Sequence, residues 1–197
     1  MDKLSYALGM KSGVQFLQAK IQIADYQSFA KGVEVILEAK KPEISYNECQ
    51  TVLNDYFSKL QEEEMKMFAE VKKTGEDFLT ENAKRAEVKT TASGLQYEIL
   101  TEGNGAKPKA EDIVRVHYHG TLTDGTVFDS SVKRGQPAEF GVNQVIQGWV
   151  EALQMMPVGS KWKLFIPSDL AYGAHGAGNL IKPHSALVFE VELLDII

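Results

Sequence analysis

The chain has 197 residues, of which 44% are hydrophobic, and its formal net charge is −6 at pH 7. This length can bury one large core or two modest ones, and the composition excludes a chain that is disordered by default. The acidic balance argues against nucleic acid as a partner, because affinity for phosphate backbones depends on clustered lysine and arginine side chains.

The N-terminal residues show no targeting pattern. They lack the positively charged start and the uninterrupted apolar run of a secretory signal, and no segment approaches the roughly 20 apolar residues that cross a bilayer. A single cysteine, Cys49, cannot form a disulfide within its own chain, and no histidine accompanies it in the local sequence to activate the thiol. We therefore expect a packed structural thiol in a cytoplasmic protein that does not contact membranes.

The pattern of apolar residues changes near residue 88. Residues 1–88 have helical spacing and a single proline, Pro42, whereas residues 89–197 contain alternating apolar patterns and most of the glycines. This change predicts a helical domain over 1–88 and a second domain over 89–197.

Three helices are predicted in the first domain. Residues 4–21 and 26–37 have amphipathic spacing, and Ser45 and Glu48 then match a capping box that begins a long helix over about 45–85. At about 1.5 Å per residue this helix is roughly 60 Å long. Its early turns are rich in apolar residues and are expected to be packed, whereas its later turns contain opposite charges at i,i+4 and are expected to be solvated.

These helices make a poor core on their own. Two short helices and a mostly polar rod leave apolar faces uncovered, and a second copy of the chain in a symmetric dimer would cover them. The alternative is that the helices fold back on the second domain, although a mostly polar rod more often bridges solvent.

The second domain is predicted to be a sheet around one helix. Four segments alternate apolar and polar residues, which is typical of antiparallel strands with one buried face: 95–100, 114–118, 162–166 and 187–193. Residues 146–155 show the only helical spacing in this half. The chain is therefore predicted to be α+β in class, with an antiparallel sheet curved around a short helix.

Common catalytic signatures are missing from the sequence. There is no Gly-x-Ser-x-Gly elbow, and the glycines of residues 173–178 match neither a phosphate loop nor a dinucleotide fingerprint. His117 and His119 share one face of a strand and could begin a metal site, but the other histidines have no ligand-like spacing to them. We expect no cofactor and no metal.

What remains is an apolar pocket. The second domain has more aromatic residues than a small core needs: Phe128, Trp149, Tyr172 and Phe189, with Tyr118 on the buried face of its strand. Phe128 is followed directly by an acidic residue, Asp129. Each aromatic residue alone is more often core than site. Together with Asp129 they indicate a binding pocket.

Several motifs resemble one known family. The segments "VHYHGTLTDGTVFDSS", "VIQGWVEALQMMPVGSKWKLFIP", "LAYGAHGAG" and "LVFEVELLDI" resemble the FKBP-type peptidyl-prolyl cis-trans isomerases in order and spacing across residues 94–197. The segments "KLSYALGMKSGVQF" and "GEDFLTENAK" are similar to the helical dimerisation region of the bacterial Mip-like and FklB-like branch. The resemblance covers nearly the whole chain.

The resemblance implies a shallow aromatic pocket between sheet and helix. The residues implied in catalysis are Tyr118, Phe128, Asp129, Ile146 and Tyr172, and those implied in substrate binding are Val145, Trp149, Leu180, Ile181 and Phe189. Trp149 would form the floor, the Ile146 amide and the Tyr172 hydroxyl would each donate to a substrate carbonyl, and Asp129 would lie beside the rotating amide. Four positions depart from common members and bear on substrate preference: His119, Gln147, Ala177 and Gly178.

The function implied is acceleration of X-Pro bond rotation in folding polypeptides. The expected partners are a second copy through the N-terminal helices, unfolded or proline-containing polypeptides and macrolide inhibitors. Two other functions stay open on the sequence alone. One is a binding module that holds a proline-containing motif or a macrolide without turnover, and the other is a chaperone in which the helical half does the work.

Overall fold

The computed structural model describes residues 1–197, which form two compact units, 1–58 and 59–197. The boundary between the units lies inside the third helix, whereas the sequence pattern changes at residue 88. The difference has a physical reason, because the last turns of that helix pack on the sheet of the second unit. The sequence pattern indicates where the strands begin, but it does not indicate at which turn a helix starts to pack on a different part of the protein.

The first unit contains two helices and the start of a third. Helix α1 spans Lys3–Gln18, α2 spans Tyr26–Leu37 and α3 spans Tyr46–Asn82. Carboxylates begin the first two helices: Asp2 accepts from the amide of Ser5 at 2.7 Å, and Asp25 accepts from the amide of Gln27 at 2.8 Å. Such side-chain caps satisfy amides that have no partner at a helix start.

The start of α3 has one of the two hydrogen bonds of the predicted capping box. The hydroxyl of Ser45 accepts from the Glu48 amide at 3.1 Å. Within the first unit, Phe16 and Phe29 pack edge to face at 5.4 Å, and the Tyr56 hydroxyl accepts from the Gln22 amide at 3.1 Å. No residue of 1–58 is buried in the single chain.

The second unit contains a seven-stranded antiparallel sheet. Its strands are β1 Val88–Thr90, β2 Gln96–Thr101, β3 Ile113–Leu122, β4 Val127–Ser130, β5 Ala138–Gly141, β6 Lys161–Ile166 and β7 Leu187–Ile196. The order across the sheet is β1-β2-β6-β7-β3-β4, and β5 pairs with the other end of β3. Two further helices belong to this unit, α4 at Ser131–Arg134 and α5 at Gln147–Met155.

The sheet wraps α5 and encloses the core between them. Val114, Val116 and Tyr118 alternate inward on β3, as Trp162, Leu164 and Ile166 do on β6, and all six are buried. This arrangement confirms the predicted α+β class and the curved sheet around a short helix.

The later turns of α3 pack on the sheet, so the prediction that they are solvated is wrong for one face of the helix. Gly75 and Asn82 are buried. The Phe78 and Phe165 rings lie 6.1 Å apart, and the Asn82 amide donates to the Gln96 side chain at 2.9 Å. The charged pairs that suggested solvent, such as Lys73 with Asp77 at 2.5 Å, lie on exposed positions of the same turns.

The early turns of α3, which were expected to be packed, expose their apolar residues in the single chain. Val52, Leu53 and Phe57 are all among its exposed large side chains. None of the helices combines the length and the apolar character needed to cross a membrane. The cytoplasmic location stays a prediction.

Candidate active site

One cavity of about 670 Å³ lies between α5 and the inner face of the sheet. All ten residues that the resemblance implies line it: Tyr118, Phe128, Asp129, Val145, Ile146, Trp149, Tyr172, Leu180, Ile181 and Phe189. Five more residues complete the lining: Phe140, Gln144, Ala177, Gly178 and Asn179. The structure therefore brings the implied residues together, and the roles assigned to them stay predictions.

Trp149 lies at the base of an aromatic cluster. Its indole ring packs edge to face with Tyr118 at 5.5 Å, with Phe189 at 5.2 Å and with Phe140 at 5.9 Å. The side chain is buried, and its indole nitrogen donates to no acceptor of the protein. Edge-to-face packing fixes each ring against its neighbours, so the cavity has a rigid apolar floor.

A polar network joins the cavity wall to α4. The Tyr118 hydroxyl donates to Asp129 at 2.5 Å, and Arg134 donates both to the Tyr118 oxygen at 2.8 Å and to the second carboxylate oxygen of Asp129. The Arg134 guanidinium also lies 5.5 Å from the centre of the Tyr118 ring. The network thus fixes the orientation of the carboxylate.

The network shifts the pKa of two of its members. Burial alone would raise the pKa of the Asp129 carboxyl, but the hydrogen bonds from Tyr118 and Arg134 outweigh burial and lower it. Burial raises the pKa of the Tyr118 phenol, and the bond to Asp129 raises it further. Asp129 is therefore an acceptor and Tyr118 a donor at neutral pH.

Local sequence explains how Arg134 reaches Asp129. The Ser130 hydroxyl accepts from the Lys133 amide at 3.2 Å and begins the single turn of α4, which ends at Gly135 with φ of +72°. The buried hydroxyl of Ser131 accepts from the Tyr118 amide at 2.7 Å. The capped helical turn directly after β4 thus brings the Arg134 side chain back to Asp129 on that strand.

A glycine on β3 leaves space for two of the rings. Gly120 pairs with Asp129 on β4 and with Phe189 on β7. A methyl group at this position would lie 2.7 Å from the Phe128 ring and 2.8 Å from the Phe189 ring. Carbon atoms in contact are about 3.5–4.0 Å apart, so any side chain here would displace both rings.

Two hydrogen-bond donors lie free at the cavity rim. The Ile146 amide, immediately before α5, donates to no atom of the chain. The Tyr172 hydroxyl also makes no hydrogen bond, and its side chain is 39% exposed. Both groups are available to hydrogen-bond acceptors from outside the chain.

A tight turn forms the opposite rim. The Ala177 amide donates to the Ile181 carbonyl at 2.8 Å, and the Ile181 amide donates back at 3.2 Å. Gly176 has φ of +64°, and a side chain there would strike the Ile181 carbonyl, so the turn needs glycine. Leu180 is exposed at the tip of this turn, whereas Ile181 is buried.

Sequence reasoning missed Arg134 and Phe140 as contributors to the site. Arg134 is an exposed cation on a four-residue helix, where no periodicity exists to detect. The only available signal is the pair of serines and the glycine that bound this turn. Phe140 lies on the four-residue strand β5, which is too short for its alternation to be distinguished from chance.

Comparisons with known proteins identify the family. A model described as "FKBP-type peptidyl-prolyl cis-trans isomerase" matches residues 104–194. A second, described as "Domain amino terminal to FKBP-type peptidyl-prolyl isomerase", matches residues 1–99. The chain belongs to the FKBP-type peptidyl-prolyl cis-trans isomerases.

Relatives match this isomerase over nearly its whole length. It is 46% identical to the FKBP-type 22 kDa peptidyl-prolyl cis-trans isomerase of Escherichia coli, with 98% of this chain and 94% of that protein covered. It is 49% identical to the FKBP-type isomerase FkpA of Aeromonas hydrophila, with 99% and 76% covered. The crystal structure of FkpA from Escherichia coli has a TM-score of 0.72 and 36% identity, with 98% and 95% covered. The chain is therefore a peptidyl-prolyl cis-trans isomerase.

The four positions at which the isomerase departs from common members lie in different places. Ala177 and Gly178 line the cavity on the tight turn, and Gln147 is the exposed first residue of α5. His119 lies on the sheet face opposite Tyr118, where its ring nitrogen is 3.0 Å from the Ser130 hydroxyl. Of the four, only Ala177 and Gly178 line the cavity.

Proposed function

We propose that the cavity above Trp149 binds the prolyl segment of a polypeptide and that its ten implied residues act on the X-Pro bond. The observation that supports this most is the combination of a rigid aromatic floor with two unpaired donors at its rim. The reaction needs no bond to break, so the cavity needs no nucleophile. The roles of individual residues then follow from the physics of the amide.

The prolyl amide resists rotation by about 18–20 kcal/mol because resonance flattens it. An enzyme accelerates rotation only if it binds the twisted amide better than either planar form. Charge separation across the C–N bond is smaller in the twisted amide. An apolar cavity lined by Phe128, Trp149 and Phe189 therefore destabilises the planar amide relative to the twisted one.

The free donors at the rim would hold one part of the chain while another part turns. The Ile146 amide and the Tyr172 hydroxyl each bind a substrate carbonyl, with a net contribution of about 1 kcal/mol per hydrogen bond. Asp129 lies beside the rotating amide, and Tyr118 and Arg134 keep its carboxylate ionised and fixed. The substrate-facing wall thus keeps one geometry throughout the rotation.

The test of this assignment is cis-to-trans exchange of a short Leu-Pro peptide by the intact chain, with and without a macrolide inhibitor. We expect acceleration that the macrolide abolishes. Phe128→Ala should lower kcat/KM by about tenfold or more, since tenfold is about 1.4 kcal/mol and fully burying a phenylalanine side chain is worth about 1.5–3 kcal/mol. Asp129→Ala should lower it by a similar factor, because it removes the carboxylate beside the rotating amide.

The matched control is Val132→Ala, on an exposed position of α4 outside the cavity, which should leave kcat/KM unchanged. Unchanged turnover in both cavity variants would contradict the assignment. Tight macrolide binding without any acceleration would point instead to a module that recognises proline.

We also propose that the enzyme is a homodimer through its N-terminal helices and that the dimer holds client polypeptides. Helices α1 and α2 contain no buried residue, and apolar side chains such as Leu8, Val14 and Val33 are exposed along them. Exposed apolar surface on this scale is typical of an interface. Two pockets in one dimer would bind an unfolded client twice and raise its effective concentration.

Sedimentation equilibrium of the intact chain at micromolar concentration tests the dimer. We expect a dimeric mass for the unaltered chain, a monomeric mass for Leu8→Glu and a dimeric mass for the control Gln15→Glu, which changes an exposed polar residue of the same helix. The Leu8→Glu monomer should keep its kcat/KM on a short peptide and lose protection of an aggregating client. A monomeric unaltered chain would contradict the proposal.

A further inference from the structure

A second groove adjoins the active-site cavity. It has a volume of about 380 Å³ and lies between the later turns of α3 and two loops of the sheet domain. Its apolar lining consists of Met67, Val71, Leu122, Leu180 and Ala186. Leu180 also lines the active-site cavity, so the two spaces share one wall.

The shared wall is a fixed feature of the domain. Leu180 is at the tip of the turn closed by the paired hydrogen bonds between Ala177 and Ile181, and its side chain is 48% exposed. A polypeptide that leaves the cavity across this leucine enters the groove directly. Because an extended chain advances about 3.3 Å per residue and the two spaces share Leu180, successive residues of one polypeptide can occupy both.

The far wall of the groove depends on the close approach of α3. Gly75 packs against Ala186, and a methyl group on this glycine would lie 3.0 Å from the alanine Cβ. This contact places the preceding turns of the helix, with Met67 and Val71, opposite Leu122. All three side chains are only partly buried in the single chain, so each can bury more apolar surface against a ligand.

The rim of the groove is polar and its floor is adaptable. Glu70 and Lys182 line it, and neither forms an ion pair within the chain. Met67 provides a flexible thioether that can fit side chains of different shapes. An apolar floor with a charged rim suits an extended peptide whose backbone stays partly in water.

We infer that this groove binds apolar residues of the client polypeptide that lie next to the proline in the active-site cavity. The inference rests on the proposed function of that cavity, and it adds α3 to the substrate-binding surface. It commits to an extended apolar segment of the substrate chain itself as the occupant, because the groove is continuous with the cavity across Leu180. Long apolar substrates are therefore preferred over short ones.

The experiment compares three peptides with the same Leu-Pro centre on the intact chain. The first is a tetrapeptide, the second has about four leucine or valine residues added on each side, and the third has glycine and serine additions of the same length. We expect kcat/KM on the apolar long peptide to exceed the other two by about tenfold. Tenfold is about 1.4 kcal/mol, which partial burial of one leucine-sized side chain supplies.

Variants of α3 test whether the groove causes the higher kcat/KM on the apolar long peptide. Met67→Arg and Val71→Arg should each remove most of the tenfold preference and leave kcat/KM on the tetrapeptide unchanged. The control is Ala69→Arg, which places the same cation on an exposed position of the same helix outside the groove. Equal kcat/KM for the three peptides on the unaltered chain, or a preference that persists in both groove variants, would overturn the inference.

A measurement on the unaltered chain avoids any folding defect of the variants. A spin label is placed at the N-terminal end of the apolar long peptide in one sample and at the C-terminal end in another. We expect one of the two labelled peptides to broaden the NMR signals of the Met67 and Val71 methyl groups. The inference would be overturned if neither peptide broadens them. If the intact chain does not isomerise even the tetrapeptide, the result contradicts the proposed function of the cavity, on which the inference about the groove rests.

Discussion

Gly120→Ala adds one methyl group behind the active site and changes no residue that lines it. The methyl carbon would lie 2.7 Å from the Phe128 ring and 2.8 Å from the Phe189 ring, and both rings face the cavity. Carbon atoms in contact are about 3.5–4.0 Å apart, so each ring must withdraw by about 1 Å. The two rings already pack edge to face at 5.4 Å, and this contact limits where they can go.

Two magnitudes follow from this displacement. Overpacking in a close-packed core costs about 1–3 kcal/mol, which for a chain of this size lowers Tm by about 2–12 °C. Misplacing groups of an active site by about 1 Å can reduce the rate by about 100-fold. We expect Gly120→Ala to reduce kcat/KM on a Leu-Pro peptide by about 10- to 100-fold at a temperature where the variant is fully folded.

Gly105→Ala separates the effect on the site from the effect on stability. A methyl group on Gly105 would lie 2.7 Å from the Val158 Cβ, an overlap of similar size with a residue that does not line the cavity. This control should lose a similar amount of stability in thermal unfolding and keep its kcat/KM. If Gly120→Ala retains full activity, or if the two variants lose activity equally, the reasoning about the rings is refuted.

Two further predictions concern the polar network. Arg134→Met removes the hydrogen bonds to Tyr118 and Asp129, so kcat/KM should fall about three- to tenfold. Tm should change little, because the arginine is half exposed. An unchanged kcat/KM would mean that the carboxylate needs no positioning. The pKa of Asp129 is lowered in the folded state, so its contribution to stability is complete above about pH 4 and is lost as the pH falls through the lowered value. The difference in unfolding free energy between the unaltered chain and Asp129→Asn should therefore be constant from pH 5 to 8 and shrink below pH 4. A difference that grows at acid pH would show that the pKa of Asp129 is raised in the folded state.

The long elements of the second unit could be predicted because their patterns are long enough to detect. The alternation over 114–118 and 187–193 lies inside β3 and β7, and the helical spacing over 146–155 matches α5. The strands β1, β4 and β5 have three or four residues each, so a period of two cannot be distinguished from chance in them.

The packing of α3 could not be predicted from its composition. Charged pairs on its exposed positions gave the impression of a solvated rod, while the packed face is formed by Gly75, Phe78 and Asn82, which do not form an apolar stripe. Asn82 makes its contact through a hydrogen bond to Gln96, and Gly75 makes its contact through the absence of a side chain. Hydrophobic periodicity detects neither kind of contact.

The shape of the active site likewise depends on contacts that hydrophobic periodicity does not detect. The sequence showed the aromatic residues that fill the region, but the shape of the cavity depends equally on positions where a side chain is missing. Gly148 lets α5 approach the sheet, since a methyl group there would lie 2.6 Å from Ile166, and the next residue, Trp149, is thereby placed at the base of the cavity. Gly120 makes room for the rings of the opposite wall. Variants at these glycines should therefore affect turnover as strongly as variants of the aromatic residues themselves, although the glycines do not touch the substrate.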